Sequence, residues 1–144
     1  MNEPDWLQLD AQLCFRLYTA SRVVTRCYQP LLEQLGLTYP QYLVMLVLWQ
    51  DDELTVKGIG ERLKLDSGTL TPLLKRMEQA GLLRRERRAD NEREVRICLS
   101  EAGKALRDPA KAVPPALVEA LGMPLDELAT LRDLLDGLIA GAKS

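Results

Sequence analysis

The sequence predicts a mainly α-helical fold with a small β wing, a winged helix-turn-helix whose N- and C-terminal helices are left over to build a dimer. Three observations predict it. Residues 55–99 read as two short helices close together, followed by two strand-like runs around a charged turn. The flanking segments carry apolar residues at helical spacing. The 144 residues are 47% hydrophobic and 28% charged, the balance of a soluble globular chain with one modest or shared core.

In chain order, residues 7–35 read as one long helix or two abutting ones, with Leu9, Leu13, Leu17, Ala20, Val24, Cys27, Leu31 and Leu35 recurring every three or four positions. Pro30 should kink it or start a new turn. Gly36 suits a C-cap, and Thr38 with Pro40 can open the next helix. Residues 42–49 are apolar on almost every face, so that helix should be central. The polar break 51–53 precedes a single short strand at 54–56 and a short helix at 57–63. Ser67 should cap a longer helix reaching about Gln79, ended by Ala80-Gly81. Strands are predicted over 82–87 and 95–99, with Val95, Ile97 and Leu99 alternating on one face. Between them, 88–94 has no apolar residue except Ala89 and should be an exposed wing tip. Ser100 begins another helix, limited or bent by Pro109 and by the Pro114-Pro115 pair. Gly122 and Pro124 end it, and 125–139 forms a last amphipathic helix with Leu128, Leu131, Leu135 and Leu138 in register. These outer helices are too apolar to be padding, so the expected arrangement is a single domain over 1–144 with a winged lobe at 54–99. Segments 1–36 and 100–144 should pair with a second copy. The alternative is a monomer whose helices fold back on themselves.

Charge and composition exclude several classes. No apolar run approaches the ~18 residues of a membrane span. The N-terminal MNEPDWLQLD lacks a basic region followed by an apolar one, so no secretory signal is expected and the chain reads as cytoplasmic. Net charge is −2, yet residues 75–96 hold eight basic residues against five acidic ones. A local positive patch on an otherwise neutral to acidic chain suits contact with phosphates on one face; a solvated charged hairpin is the plainer reading. There is no His, and Cys14, Cys27 and Cys98 form no CxxC pattern, so no metal site or cofactor is expected and the His-activated nucleophile pairs are absent.

A helix that enters a major groove needs short polar side chains near its N-terminus and cations farther along. Ser67, Thr69 and Thr71 are short donors and acceptors. Pro72 offers an apolar contact of the kind a thymine methyl accepts. Lys75 and Arg76 follow one turn later where phosphates would lie, and Arg85 adds a cation from the next strand. Leu70, Leu73, Leu74 and Met77 should pack inward. Arg93 in the wing suits a narrow minor groove, with Asn91 holding it. The expected partner is double-stranded DNA bearing a pseudo-palindrome.

Cys14 sits in LCFRLYTASR on the first helix. By residue type alone it is either a buried small hydrophobe or a functional thiol. Tyr28 lies ~21 Å farther along one straight helix at ~1.5 Å per residue, so it can meet Cys14 only from a second subunit packed antiparallel.

Four blocks carry a resemblance over nearly the full length: LQLDAQLCFRLYTASR, YQPLLEQLGLTYPQYLVMLVLW, LDSGTLTPLLKRMEQAGLLRR and the N-E-R…V wing. They lie in order at matching spacing, and the chain resembles MarR-type winged-helix regulators, in particular their OhrR branch. The resemblance implies a homodimeric, non-enzymatic repressor of a peroxidase gene that senses organic hydroperoxides. It implies that Cys14 is the reactive cysteine and that Tyr28 and Tyr39 of the other subunit hydrogen-bond its sulfur. Oxidation to a sulfenic acid and beyond then moves the helices and releases DNA. Two phenol donors would favour the thiolate, and apolar walls from Phe15, Leu17 and the 42–49 helix would favour alkyl over hydrogen peroxide. Two departures stand out. Glu119 occupies the place of the resolving cysteine found in two-cysteine members, and Cys27 is ~20 Å from Cys14 along one helix, beyond disulfide reach. A one-cysteine mechanism follows, in which a small cellular thiol captures the sulfenic acid or overoxidation proceeds; a Cys14 link to Cys27 or Cys98 of a second subunit is the alternative. Asn91 stands where the family commonly has Asp, so it can accept a hydrogen bond from Arg93 but forms no ion pair. The rival readings are a MarR-type repressor released by a small aromatic ligand, a thiol peroxidase, and a protein-interaction module.

Overall fold

The computed structural model describes residues 5–88 and 91–143, and the side chains of these apart from 88 and 91–93. Two compact units emerge: residues 28–111, and the residues before 28 together with those after 111.

A long helix, α1 (Leu13–Glu33), follows a 3-10 turn at Leu9–Ala11 and ends inside the 28–111 unit. Pro30 lies within α1 without ending it. Its ring removes the N–H that would have reached the Arg26 carbonyl four residues back, and the helix continues for three more residues despite that lost bond. Gly36, at φ +70, supplies the left-handed residue that turns the chain, and Leu37 N–H closes the turn on the Leu32 carbonyl at 3.0 Å. Thr38 then caps α2 (Tyr39–Gln50) in a capping box with Gln41. Tyr42, Val44, Met45, Val47 and Leu48 of α2 are all buried, so the helix is central to its unit, as its composition predicts. Trp49 donates its indole N–H to the Gly103 carbonyl at 2.9 Å, which ties α2 to a helix 54 residues away.

The winged lobe follows. β1 (Leu54–Thr55) leads into α3 (Val56–Leu63), capped by the Thr55 hydroxyl, and α3 ends on Lys64 in the left-handed region at φ 58. Gly60 permits this ending, because a Cβ there would lie 2.7 Å from the Leu65 carbonyl oxygen. α4 spans Ser67–Gln79, and its N-cap is Asp66 rather than Ser67. The shift by one residue has a physical cause: a carboxylate accepts the Thr69 N–H at 2.7 Å and also complements the positive end of the helix. Gly81, at φ +80, ends the turn after α4.

β2 (Leu83–Arg88) and β3 (Asn91–Leu99) form an antiparallel ladder with β1 on the other side of β3, in the order β1-β3-β2. The ladder extends to an Arg88–Asn91 pairing after a register shift at Arg87/Arg88. The wing tip is therefore shorter than the 88–94 loop expected from composition. Polar residues lengthen the strands because the backbone ladder, not side-chain burial, pairs them. Residues 89–90 lie outside the described residues. Ile97 and Leu99 are buried, as their alternation predicts, and Cys98 on the opposite face is buried too. Ser100 caps α5 (Glu101–Ala105), which leads into α6 (Arg107–Ala110).

The other unit holds most of α1 with α7 (Val113–Leu121) and α8 (Leu125–Gly141). The proline pair opens α7 instead of limiting a longer helix, because the first turn has no partner for the N–H that proline lacks. Gly122, at φ +69, closes it. Among the described residues of this unit only Val113 and Leu117 are buried, whereas Leu13, Tyr18, Leu131, Leu134, Leu138 and Ile139 are exposed. No helix among the described residues is long and apolar enough to cross a membrane.

Candidate nucleic-acid interface and redox centre

The inner face of α4 is an apolar stripe of Leu70, Leu73, Leu74 and Met77, each buried. Burying that stripe forces the opposite face outward. Ser67, Thr69, Pro72, Lys75 and Arg76 are exposed and Thr71 is half-buried, so six of the residues read from sequence share one outer surface. With Asp66 occupied in capping, the Ser67 hydroxyl is not held by the helix. Pro72 cannot donate to the Gly68 carbonyl four residues back, which leaves that carbonyl open near the start of the helix.

A groove of about 820 Å³ runs between α3, the start of α4 and β3, lined by Lys57, Lys64, Ser67, Thr71 and Glu94 among others. Lys57 and Lys64 are exposed cations on the edge of the reading surface that the sequence analysis did not assign. The signal was present in their spacing: both lie on the helix preceding α4 or at its end, where a helix-turn-helix crosses a phosphate backbone.

Arg85 is not a free cation on this surface. Its Nε pairs with Glu78 Oε1 at 3.1 Å, and its backbone N–H donates to Glu78 Oε2 at 3.0 Å. The Arg85 backbone and side chain hold the Glu78 carboxyl below the usual carboxylate range. Arg85, read from sequence as a cation on the DNA-facing surface, joins the wing strand to the C-terminal turn of α4 through this pair. The side chains of Asn91 and Arg93 lie outside the described residues.

The sequence-assigned tyrosines do come together. The tight turn at Gly36 places Tyr28 and Tyr39 with ring centroids 4.9 Å apart, and Tyr42 joins them at 5.6 Å from Tyr28. Burial, then the neighbouring phenols of Tyr42 and Tyr39, push Tyr28 up to about 12. Burial also raises Tyr39 and Tyr42. All three stay protonated at neutral pH and keep an O–H to donate. Tyr42 was legible only as a core position of α2; its membership in the cluster depends on the turn that sequence spacing does not give.

The three cysteines differ in access. Cys14 is exposed in the first turn of α1, Cys27 is half-buried and Cys98 is buried. Cys98 donates its thiol to Glu86 Oε2 at 3.7 Å, and burial followed by the Glu86 carboxylate pushes its thiol up. Such a thiol is a poor nucleophile, whereas the sulfur of Cys14 is open to solvent. Among the described residues no cluster of metal-ligating side chains occurs.

A central α2, a solvent-facing α4 and a basic wing define a winged-helix protein of the DNA-reading class. A family model described as transcriptional regulator SarA/Rot matches residues 26–109. The organic hydroperoxide resistance transcriptional regulator of Bacillus subtilis is 47% identical over 138 residues, 96% of this chain and 94% of that protein. The HTH-type transcriptional regulator TtmR of Methylorubrum extorquens is 51% identical over 90% of this chain, which spans 65% of TtmR. Reduced AbfR bound to DNA, a Staphylococcus epidermidis protein, superposes with a TM-score of 0.76 at 39% identity over 92% of this chain and 91% of that one. AbfR has also been solved in a disulfide form and, overoxidised, on DNA. The chain belongs to the MarR family of winged-helix transcriptional regulators, in the branch of the organic hydroperoxide regulators.

Proposed function

We propose that this protein is a cytoplasmic, dimeric, DNA-binding repressor that senses organic hydroperoxides through Cys14 and then releases its operator. The observation that carries the DNA half is α4: one face is locked into the core by four apolar side chains, and the other presents short polar groups followed by Lys75 and Arg76. Two copies related by a twofold axis would set two such helices in successive major grooves, so the operator is a pseudo-palindrome. Wings carrying Asn91 and Arg93 would reach the flanking minor grooves.

The redox half is supported by the one exposed cysteine, by the cluster of protonated phenols, and by the relative that is named for organic hydroperoxide resistance. In the proposed step the Cys14 thiolate attacks the distal oxygen of the hydroperoxide. The S–O bond forms as the O–O bond breaks; sulfur is oxidised by two electrons and the peroxide is reduced to an alcohol after proton uptake. Tyr28 and Tyr39 of the partner would donate hydrogen bonds to the sulfur and stabilise its anionic forms. The sulfenic acid then condenses with a low-molecular-weight thiol, giving a mixed disulfide and water. This is one event per chain, a stoichiometric sensor rather than an enzyme.

A titration of operator DNA with and without one equivalent of an organic hydroperoxide, on the wild type and on Cys14→Ser, tests the reading. Oxidised wild type should release the duplex while Cys14→Ser stays bound. Release of both would move the sensing elsewhere. Response of neither would leave the DNA reader and remove the redox assignment.

A further inference from the structure

We infer that Glu78 and Arg85 form a clamp that fixes the wing at a set angle to the reading helix, and that this pair positions both elements for DNA without touching it. The inference rests on the DNA-binding reading above and deepens it. β2 is an edge strand, because the sheet order is β1-β3-β2. The outer edge of such a strand carries N–H groups with no ladder partner. At Arg85 that N–H is taken by Glu78 Oε2 at 3.0 Å, while Glu78 Oε1 takes the Arg85 Nε at 3.1 Å. One carboxylate thus holds the backbone and the side chain of the same residue, a two-point attachment that resists rotation about either bond.

Its place in the chain gives the attachment its meaning. Glu78 lies in the last turn of α4 and Arg85 in the first half of β2, with the Ala80–Leu82 turn between them. The turn is stitched at other points: Gly81 N–H to the Glu78 carbonyl at 3.0 Å, Leu82 N–H to Met77 at 3.1 Å, and the Ser100 hydroxyl to the Gly81 carbonyl at 2.6 Å. These bonds fix the path of the backbone. The Glu78 carboxylate is what reaches beyond the turn to β2 itself. A duplex offers a major groove and its neighbouring minor groove at fixed separation. A reader whose two elements are already set at that separation loses less freedom on binding.

The sign of a carboxylate's effect makes the test sharp. Removing a negative charge beside a DNA-binding surface should strengthen binding if that charge does nothing else. Removing a clamp should weaken it. Operator affinity is measured for the wild type, Glu78→Ala, Glu78→Gln, Arg85→Ala and Arg85→Lys across a salt series, with thermal melts to establish that each is folded. The same proteins are tested on a duplex shortened to exclude the flanking minor-groove steps. The expected result is about a tenfold loss for both alanine variants on the long duplex, a smaller loss on the short one, and an unchanged salt slope. Glu78→Gln, which keeps one acceptor, should fall between. Amide exchange at Arg85 in the DNA-free protein should quicken in Glu78→Ala, a readout that holds whether or not the operator is bound. The clamp is overturned if Glu78→Ala binds as tightly as wild type while Arg85→Ala flattens the salt slope by about one, since Arg85 would then be a phosphate contact. It is overturned equally if the Arg85 amide exchanges at the same rate in Glu78→Ala. A wild type that ignores the duplex but shows the protected amide would sink the DNA reading and the positioning role together, leaving the bond as a structural one.

Discussion

Asp66 and Tyr28 show how single side chains set the chemistry of this molecule. The Thr69 backbone N–H, then the Thr69 side chain, hold the Asp66 carboxyl below its ordinary value. A carboxyl lowered by folding contributes stability that is present above its unfolded pKa and lost as pH falls through the folded one. The melting temperature should therefore drop on acidification below about pH 4, and Asp66→Asn, which still caps α4, should show a shallower drop in the same thermal scans. Tyr28 runs the other way. Its phenol is raised from 10.0 to about 12, so the stability it contributes is complete below pH 10 and is lost as pH climbs toward 12. In an alkaline titration followed by phenolate absorbance, Tyr28→Phe should remove the last component to appear. At this scale the sequence was readable where function needs a residue type: the polar face of α4 lies where spacing put it. The ion pair of Arg85 was not legible, because a basic residue beside a basic run looks free until its carboxylate partner, seven positions earlier, is folded beside it.

Among the elements, α5 is held by close approach more than by burial of large side chains. Gly103 is buried, gives its carbonyl to Trp49, and has the Leu82 carbonyl where a Cβ would stand. Gly103→Ala should cost about 2 kcal/mol in urea unfolding, because backbone must shift to admit the methyl. Nothing in local spacing distinguishes Gly103 from a tolerated helix glycine; the constraint comes from Leu82, in the turn before β2, 21 residues earlier in sequence. The wing was underread for a different reason. Residues 91–94 are all polar, so period-two alternation is silent there, yet the ladder continues to Asn91. Helix α2, apolar on all sides, needed no such context and lies at the centre of its unit as composition required.

At the scale of the whole molecule, the unit made of the chain ends is short of core. Leu134 is 68% exposed and Leu13 59%. Apolar surface of this extent on elements with few buried residues calls for a second chain. The expected outcome in sedimentation is a species of twice the chain mass, shifted toward one chain by Leu134→Glu with Leu138→Glu. Operator affinity should fall with it, on the order of a hundredfold, since two linked readers bind far more tightly than one. The helical periodicity of 125–139 made this legible as an apolar stripe. What it could not supply was the partner surface, because a stripe seeking its own copy looks in sequence like one seeking the core of its own chain.

Cys98 carries a last consequence. For the sensor proposed above, information is a count: one oxidant molecule, one marked subunit. A second sulfur open to the same oxidant would blur the count by recording events that move nothing. Cys98 lies beneath the sheet surface with Glu86 against its thiol, a placement that would keep that sulfur out of the count. Fidelity in such a sensor would come from a residue that does not answer, with the quiet of Cys98 as much a part of the instrument as the readiness of Cys14.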